Sequence, residues 1–123
     1  MTEHSITYRI EEGVVSISIQ GTLNQKTARK FLSQAVDLAS RHECHKFLSD
    51  LRQATILEGT FGILDHVKEL GEIGLKKGDL FAVIAQNDLS AHKFFETAAR
   101  NRGWYSIRYF HTEADAIEWL GTG

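Results

Sequence analysis

Residues 80–85, Leu80-Phe81-Ala82-Val83-Ile84-Ala85, form an apolar run in which no polar residue alternates with the apolar ones. Strands with one face in solvent alternate apolar and polar residues, whereas a parallel strand covered on both faces is apolar throughout. The run therefore predicts a central strand of a parallel sheet. Parallel neighbours are joined by crossover connections, which are usually helices. This stretch thus predicts an α/β fold.

The patterns on either side of this run complete the order of elements. Strands are predicted at 8–12 and 14–20, as a hairpin around Gly13, and again at 46–51 and 105–109. Apolar residues at helical spacing predict four helices, of which the first runs from a cap at Asn24 to about Arg41. The others are predicted at about 63–74, from Ser90 to Gly103, and after Thr112. The order is β-β-α-β-α-β-α-β-α, a mainly parallel sheet with one early antiparallel pair, in a single domain over residues 1–123.

Composition narrows the class of protein. A chain of 123 residues can bury one core without a metal or a disulfide. The net charge is −2, and the sequence contains no cluster of basic residues. Because binding to a phosphate backbone needs such a cluster, nucleic acid is not expected as a partner. Cys44 is the only cysteine, which fits a reducing cytoplasm. The N-terminal residues lack the pattern of a secretion signal, and no run approaches the ~20 apolar residues of a membrane span.

Three local patterns carry a resemblance to a known family. They are Phe47-Leu48-Ser49-Asp50-Leu51-Arg52, Asn101-Arg102-Gly103 and the closing residues 110–120. Together with the order of elements over residues 6–120, they resemble the STAS domain (sulfate transporter and anti-sigma-factor antagonist). The most similar branch is that of the stand-alone, SpoIIAA-like bacterial antagonists. The resemblance implies a non-enzymatic regulatory domain that binds a protein partner and is switched by phosphorylation of a hydroxyl at a helix start.

The switch motif of that family is Asp-Ser-Ser-Gly, and the matching residues here are Glu58, Gly59, Thr60 and Phe61. The resemblance implies that Thr60 is the phosphorylated hydroxyl and Glu58 the acidic residue. Gly59 replaces the first serine of the motif, and Phe61 replaces its glycine. A phosphate at a helix N-terminus is stabilised by free backbone amides. The alternative is that Thr60 only caps the predicted helix.

Asp50 and Arg52 leave the predicted third strand two residues apart, so their side chains are expected on the same side. One interpretation makes Asp50 a carboxylate that faces a ligand or partner. The other is that Asp50 holds the following loop by accepting backbone amides, with Arg52 as a solvated neighbour. Both interpretations remain open at this point.

No catalytic, metal or cofactor site is predicted. His42, Cys44 and His45 lack the spacing of a tetrahedral site, and a second Cys/His cluster is missing from the sequence. The glycine-rich motifs that bind nucleotide phosphates and the nucleophile motif of hydrolases are also missing.

Phe94, in the third predicted helix, lies off the face that carries Phe95. It is predicted either to extend the edge of the core or to contact a partner, including a second copy in a homodimer. The β/α layout is also similar to the lipid-carrying Sec14-like fold. An alternative function is therefore a small-molecule or lipid-binding module with a pocket of more than about 300 Å³. Its apolar ligand would contact Phe61, Ile63, Leu64, Phe81, Phe94 and Phe95.

Overall fold

The computed structural model describes residues 3–23, 25–56, 72, 74–76, 78–85, 97, 100, 103 and 106–121. Its elements are β1 (Glu3–Arg9), β2 (Val14–Leu23), α1 (Gln25–Arg41), β3 (Lys46–Ile56), β4 (Leu80–Ile84), β5 (Ile107–Phe110) and α2 (Glu113–Gly121). The strands form one five-stranded sheet in the order β1-β2-β3-β4-β5. β1 and β2 are antiparallel, and the other neighbours are parallel. The predicted α/β fold, with a mainly parallel sheet and one early antiparallel pair, is confirmed.

β4 is a central strand, as its apolar run predicts. It lies between β3 and β5 and pairs with both in parallel. Its side chains reach two cores on opposite faces of the sheet. Phe81 packs against the core that contains α1, and Ala82 and Ile84 belong to the core that contains α2. A strand that is buried on both faces is apolar throughout, and polar residues do not alternate along it.

The first core lies between α1 and the sheet. Phe31, Leu32, Ala35 and Ala39 of α1 are buried at positions i, i+1, i+4 and i+8, which lie on one face of the helix. They pack against Val15, Ile17, Ile19, Phe47, Leu75 and Ile107. The predicted first helix and its core-facing side are therefore confirmed, and the predicted cap at Asn24 lies outside the described residues.

The second core lies on the opposite face, under α2. Ala116 and Leu120 of α2 are buried with Val14, Leu48, Ala82 and Ile84. The backbone N–H of Asp115 donates to Thr112 Oγ1 at 3.2 Å, so Thr112 caps the helix as predicted.

At the end of the third predicted helix, Gly103 has a φ of +92° and its N–H donates to the Arg100 carbonyl. That conformation confirms the predicted left-handed cap.

The predicted bounds of the first strand are wrong. β1 ends at Arg9, and residues 10–13 form the turn that leads into β2. Gly13 has a φ of +68°, and its N–H donates to the Arg9 carbonyl at 2.8 Å. The strand begins earlier than predicted because Ile6 and Tyr8 pack against the first core.

The predicted ends of β2 and β3 are also wrong. β2 continues beyond Gly21 to Leu23, and β3 continues beyond Leu51 to Ile56, because the two strands pair with each other through these residues. Asp50 and Arg52 therefore lie within β3.

No helix among the described residues is long and apolar enough to cross a membrane.

Candidate functional site

A β-bulge interrupts the middle of β3. Ser18 of β2 pairs with Asp50, and Gln20 pairs with Gln53, so one residue of β2 lies opposite Leu51 and Arg52 together. The last pair between β3 and β4 is Asp50↔Ile84. The bulge thus lies where β4 ends, at the carboxyl edge of the parallel strands. Bulges re-aim side chains, and ligands of α/β proteins bind at this edge.

Asp50 closes the bulge by accepting three hydrogen bonds from Arg52. The backbone N–H of Arg52 donates to Asp50 Oδ1 at 3.0 Å. Its Nε donates to the same oxygen at 2.9 Å, and its Nη2 donates to Oδ2 at 2.7 Å. The prediction that both side chains point to one side is confirmed. Asp50 accepts a backbone amide, as the second interpretation predicts, and Arg52, whose side chain is 32% exposed, is also its ion-pair partner.

This ion pair moves both acid–base equilibria away from neutral pH. The side-chain hydrogen bonds from Arg52 lower the pKa of Asp50, and the backbone N–H and the positive charge of Arg52 act in the same direction, while burial opposes them. The hydrogen bond to Asp50 and its negative charge raise the pKa of Arg52, with a further contribution from Glu113. Groups that transfer protons need pKa values near the working pH. The pair therefore suits binding and positioning, and does not suit proton transfer.

Glu113, in the first turn of α2, extends the charged site to Arg9. Arg9 Nη1 donates to Glu113 Oε1 at 3.0 Å, and Nη2 donates to Glu12 Oε1 at 2.6 Å. Burial alone would lower the pKa of Arg9, but the hydrogen bonds to Glu12 and Glu113 and their charges outweigh it and raise the pKa. The negative charge of Glu113 also interacts favourably with the helix dipole.

A row of hydroxyl groups lies beside this charged site, on the face of the sheet that packs against α2. Ser5 pairs with Ser18, which in turn pairs with Asp50, and Thr7 pairs with Ser16. Paired residues of neighbouring strands point to the same face. Ser5 and Thr7 are exposed, and Ser16 and Ser18 are partly exposed. We call this surface the polar sheet face: Ser5, Thr7, Ser16, Ser18, Asp50 and Arg52.

The Asp50–Arg52 ion pair makes stability depend on acid pH. Because the pKa of Asp50 is lowered in the folded state, the folded state binds fewer protons than the unfolded state. The contribution of the ion pair to stability is complete above the unfolded-state pKa of about 3.9. It is lost as the pH falls from there through the lower pKa of the folded state. We expect Asp50→Asn to cost about 1 kcal/mol at pH 6 and much less at pH 2.

Urea unfolding from pH 2 to pH 6 measures this difference. Asp37→Asn is the matched control, since Asp37 also pairs with an arginine but is exposed on α1. The control should cost less than about 0.5 kcal/mol at any pH. An Asp50→Asn difference that stays constant with pH would contradict the role assigned to the ion pair.

The three potential metal ligands that follow α1 make separate contacts. They are His42, Cys44 and His45. His42 stacks on Tyr8, and the Cys44 Sγ lies 3.3 Å from the carbonyl oxygens of both Gly13 and Lys46, either of which can accept its proton. His45 Nδ1 lies 3.0 Å from Asp79 Oδ1. Among the described residues, no group of three acidic, histidine or cysteine side chains is placed to hold a metal ion.

Sequence reasoning missed two charged contacts. Asp79 is buried just before β4, where its Oδ2 accepts the N–H of Lys76 and its Oδ1 meets His45. An acidic residue directly after Gly78 and before an apolar strand is a turn signal that could have drawn notice. The Arg9–Glu113 contact joins residues 104 positions apart, and no local sequence pattern predicts it.

Several predicted site residues lie outside the described residues. They are Glu58, Gly59, Thr60 and Phe61 of the switch motif and Phe94 of the predicted contact surface. Of the residues proposed for an apolar ligand, Phe81 is described. Its ring stacks on Phe47 with centroids 5.6 Å apart, against the first core. Phe81 is therefore a packing residue.

The comparisons with known proteins agree with this architecture. A family model described as SpoIIAA-like matches residues 14–121. The chain belongs to the SpoIIAA-like family. The matched range runs from the start of β2 to the end of α2 and so includes Asp50, Arg52 and Glu113. The resemblance predicted from the sequence is confirmed.

Solved structures with the SpoIIAA-like fold cover nearly the whole chain. An anti-sigma factor antagonist from Mycobacterium paratuberculosis aligns with a TM-score of 0.64 at 20% identity, over 98% of this chain and 94% of that one. An uncharacterized protein with a SpoIIAA-like fold from Shewanella loihica PV-4 aligns with a TM-score of 0.55 at 20% identity, over 97% and 93%.

The phosphorylated form of the Bacillus cell fate determinant SpoIIAA aligns with a TM-score of 0.50 at 12% identity, over 96% of this chain and 99% of that one. Identities this low establish a shared fold. A search of curated protein sequences finds no significant match.

Proposed function

We propose that this SpoIIAA-like chain works as a single regulatory domain in the cytoplasm, without catalysis of its own, by binding a protein partner. The observation that carries the proposal is the polar sheet face around the bulge. Asp50 and Arg52 are held by each other on a strand, and β3 ends at Ile56, four positions before Thr60. Charged groups that are held in place on a surface can meet complementary charges of a protein partner, which gives specificity and fixes the register of docking.

Thr60 is the proposed switch of this surface. Phosphorylation adds a charge of about −1.5 to −2 and three acceptor oxygens. Added just after β3, that charge changes the electrostatic match between the chain and a partner that docks beside Asp50 and Arg52. Charge changes at the rim of an interface alter the rate of association and the selectivity for partners.

The proposal is tested by purifying tagged variants from the cells that make the protein. We expect a phosphate on Thr60 of the wild type, located by peptide mass spectrometry. We also expect the affinity for the bound partner, seen in its recovery, to differ at least about tenfold between Thr60→Glu and Thr60→Val, which is a free-energy difference of about 1.4 kcal/mol. Ser40→Glu, on an exposed position of α1, is the control for added charge.

Two results would contradict the proposal. One is equal recovery of the same proteins with all three variants, in which case Thr60 would be a helix cap. The other is purification of the wild type with a stoichiometric lipid and without a protein, which would favour the lipid-binding alternative.

A further inference from the structure

The outer edge of β1 has the properties of a pairing surface. Among the strands that the structure describes, β1 is an edge strand of seven residues, Glu3–Arg9, and its pairing with β2 runs without a register shift. Edge strands are usually protected by shortness, bulges, proline or charged side chains such as lysine. β1 has no proline, lysine or bulge, and its charged residues, Glu3 and Arg9, lie at its two ends. The opposite edge, β5, has four residues and an exposed Arg108. We propose that β1 pairs with β1 of a second copy, which joins two sheets into one.

The backbone of β1 is oriented for this pairing. The Arg9 carbonyl accepts the N–H of Gly13, so the main chain of Arg9 faces β2. Backbone groups along an antiparallel pair alternate between the two sides of a strand. The N–H and C=O groups of His4, Ile6 and Tyr8 therefore point away from β2, toward the open edge.

One register uses the whole strand. Antiparallel pairing of two identical strands has a two-fold axis perpendicular to the sheet, which keeps both α1 helices on the same face. With Ile6 opposite its own copy, His4 lies opposite Tyr8. All three outward residues then meet outward residues, and each backbone group from His4 to Tyr8 that points away from β2 gains a partner.

Charge complementarity favours a second copy in that register. Glu3 lies opposite Arg9 of the second copy at both ends of the ladder, and Ser5 lies opposite Thr7. Opposite charges in directly opposed positions stabilise antiparallel pairs. Arg9 is already oriented by Glu12 and Glu113, and a guanidinium has five donors, so it can take a third carboxylate. Glu3 is exposed.

The test compares two variants that raise the charge of the same hairpin by two. Ser5→Lys combined with Thr7→Lys places lysines opposite each other twice in the proposed register. Glu11→Arg, at an exposed position of the turn, lies beyond the paired strand. Light scattering over a range of concentrations gives the dissociation constant of each dimer. Circular dichroism shows whether each variant is folded.

We expect a wild-type dimer, an unchanged dimer for Glu11→Arg, and a dissociation constant raised at least about tenfold for the folded double-lysine variant. Hydrogen exchange of the wild type should show protection of the Ile6 amide that decreases on dilution. A wild type that is monomeric at every concentration would overturn the proposal. So would a double-lysine variant that dimerises like the wild type, or pairing of the edge with an added peptide but not with a second copy.

Discussion

Phe47→Ala is expected to lower the free energy of unfolding by about 3–5 kcal/mol, because it removes a large side chain from a closed core. Phe47 is 1% exposed, belongs to the first core, and stacks on Phe81. It lies on β3 three residues before Asp50, so its packing also holds the strand that carries the candidate site. Urea unfolding at neutral pH measures the loss.

Ile10→Ala is the control for this substitution. Ile10 is also a large apolar residue, but it is 80% exposed in the turn after β1. Its replacement should change the free energy of unfolding by less than about 0.5 kcal/mol. Equal losses from Phe47→Ala and Ile10→Ala would contradict the assignment of Phe47 to the core.

Gly74→Ala is expected to cost about 2–4 kcal/mol, for two reasons that add. Gly74 has a φ of +100°, a conformation that residues with a Cβ rarely adopt. An added Cβ would lie 3.0 Å from Cγ1 of Val36 on α1, closer than normal contact. The Val36 side chain or the turn must then give by a few tenths of an ångström.

Two other glycines separate these contributions. Gly13 has a φ of +68° with open space around its Cβ position, so Gly13→Ala should show the conformational cost alone, about 1–2 kcal/mol. Gly78 has neither feature, and Gly78→Ala should be neutral or slightly stabilising. Thermal and urea unfolding of the three variants should therefore give losses in the order Gly74, Gly13, Gly78. A loss at Gly74 no larger than that at Gly13 would contradict the close contact with Val36.

The parts of the fold that sequence predicted best depend on local patterns. The apolar run of β4 and the turn-by-turn spacing of Phe31, Ala35 and Ala39 in α1 reflect burial that each element needs by itself. The Thr112 cap likewise depends on a contact with Asp115, three positions away. Such features follow from the period of a helix or strand and do not require knowledge of the neighbours.

The errors concern features that depend on pairing between distant segments. β3 continues to Ile56 because β2 continues beside it, and the bulge at Leu51 and Arg52 arises from the register of those two strands. Asp50 and Arg52 were predicted as site residues from their position near a strand end. Their mutual ion pair follows from the bulge, which brings the Arg52 amide back to the Asp50 carboxylate.

The switch motif depends on the family resemblance alone. Gly59 and Phe61 depart from the motif, and neither spacing nor periodicity distinguishes a phosphorylated threonine from a helix cap. The family match, over residues 14–121, supports the alignment of the fold.

Site-specific photocrosslinking in the cells that make the protein tests the central claim most directly. A photoreactive residue at Gln53, exposed just beyond the bulge, should give a covalent adduct with one protein partner. The same residue at Ser40, exposed on α1, should give none with that partner. Phosphorylation at Thr60 should change the yield of the Gln53 adduct. Adducts at Ser40 and not at Gln53, or no protein adduct at either position, would contradict the account.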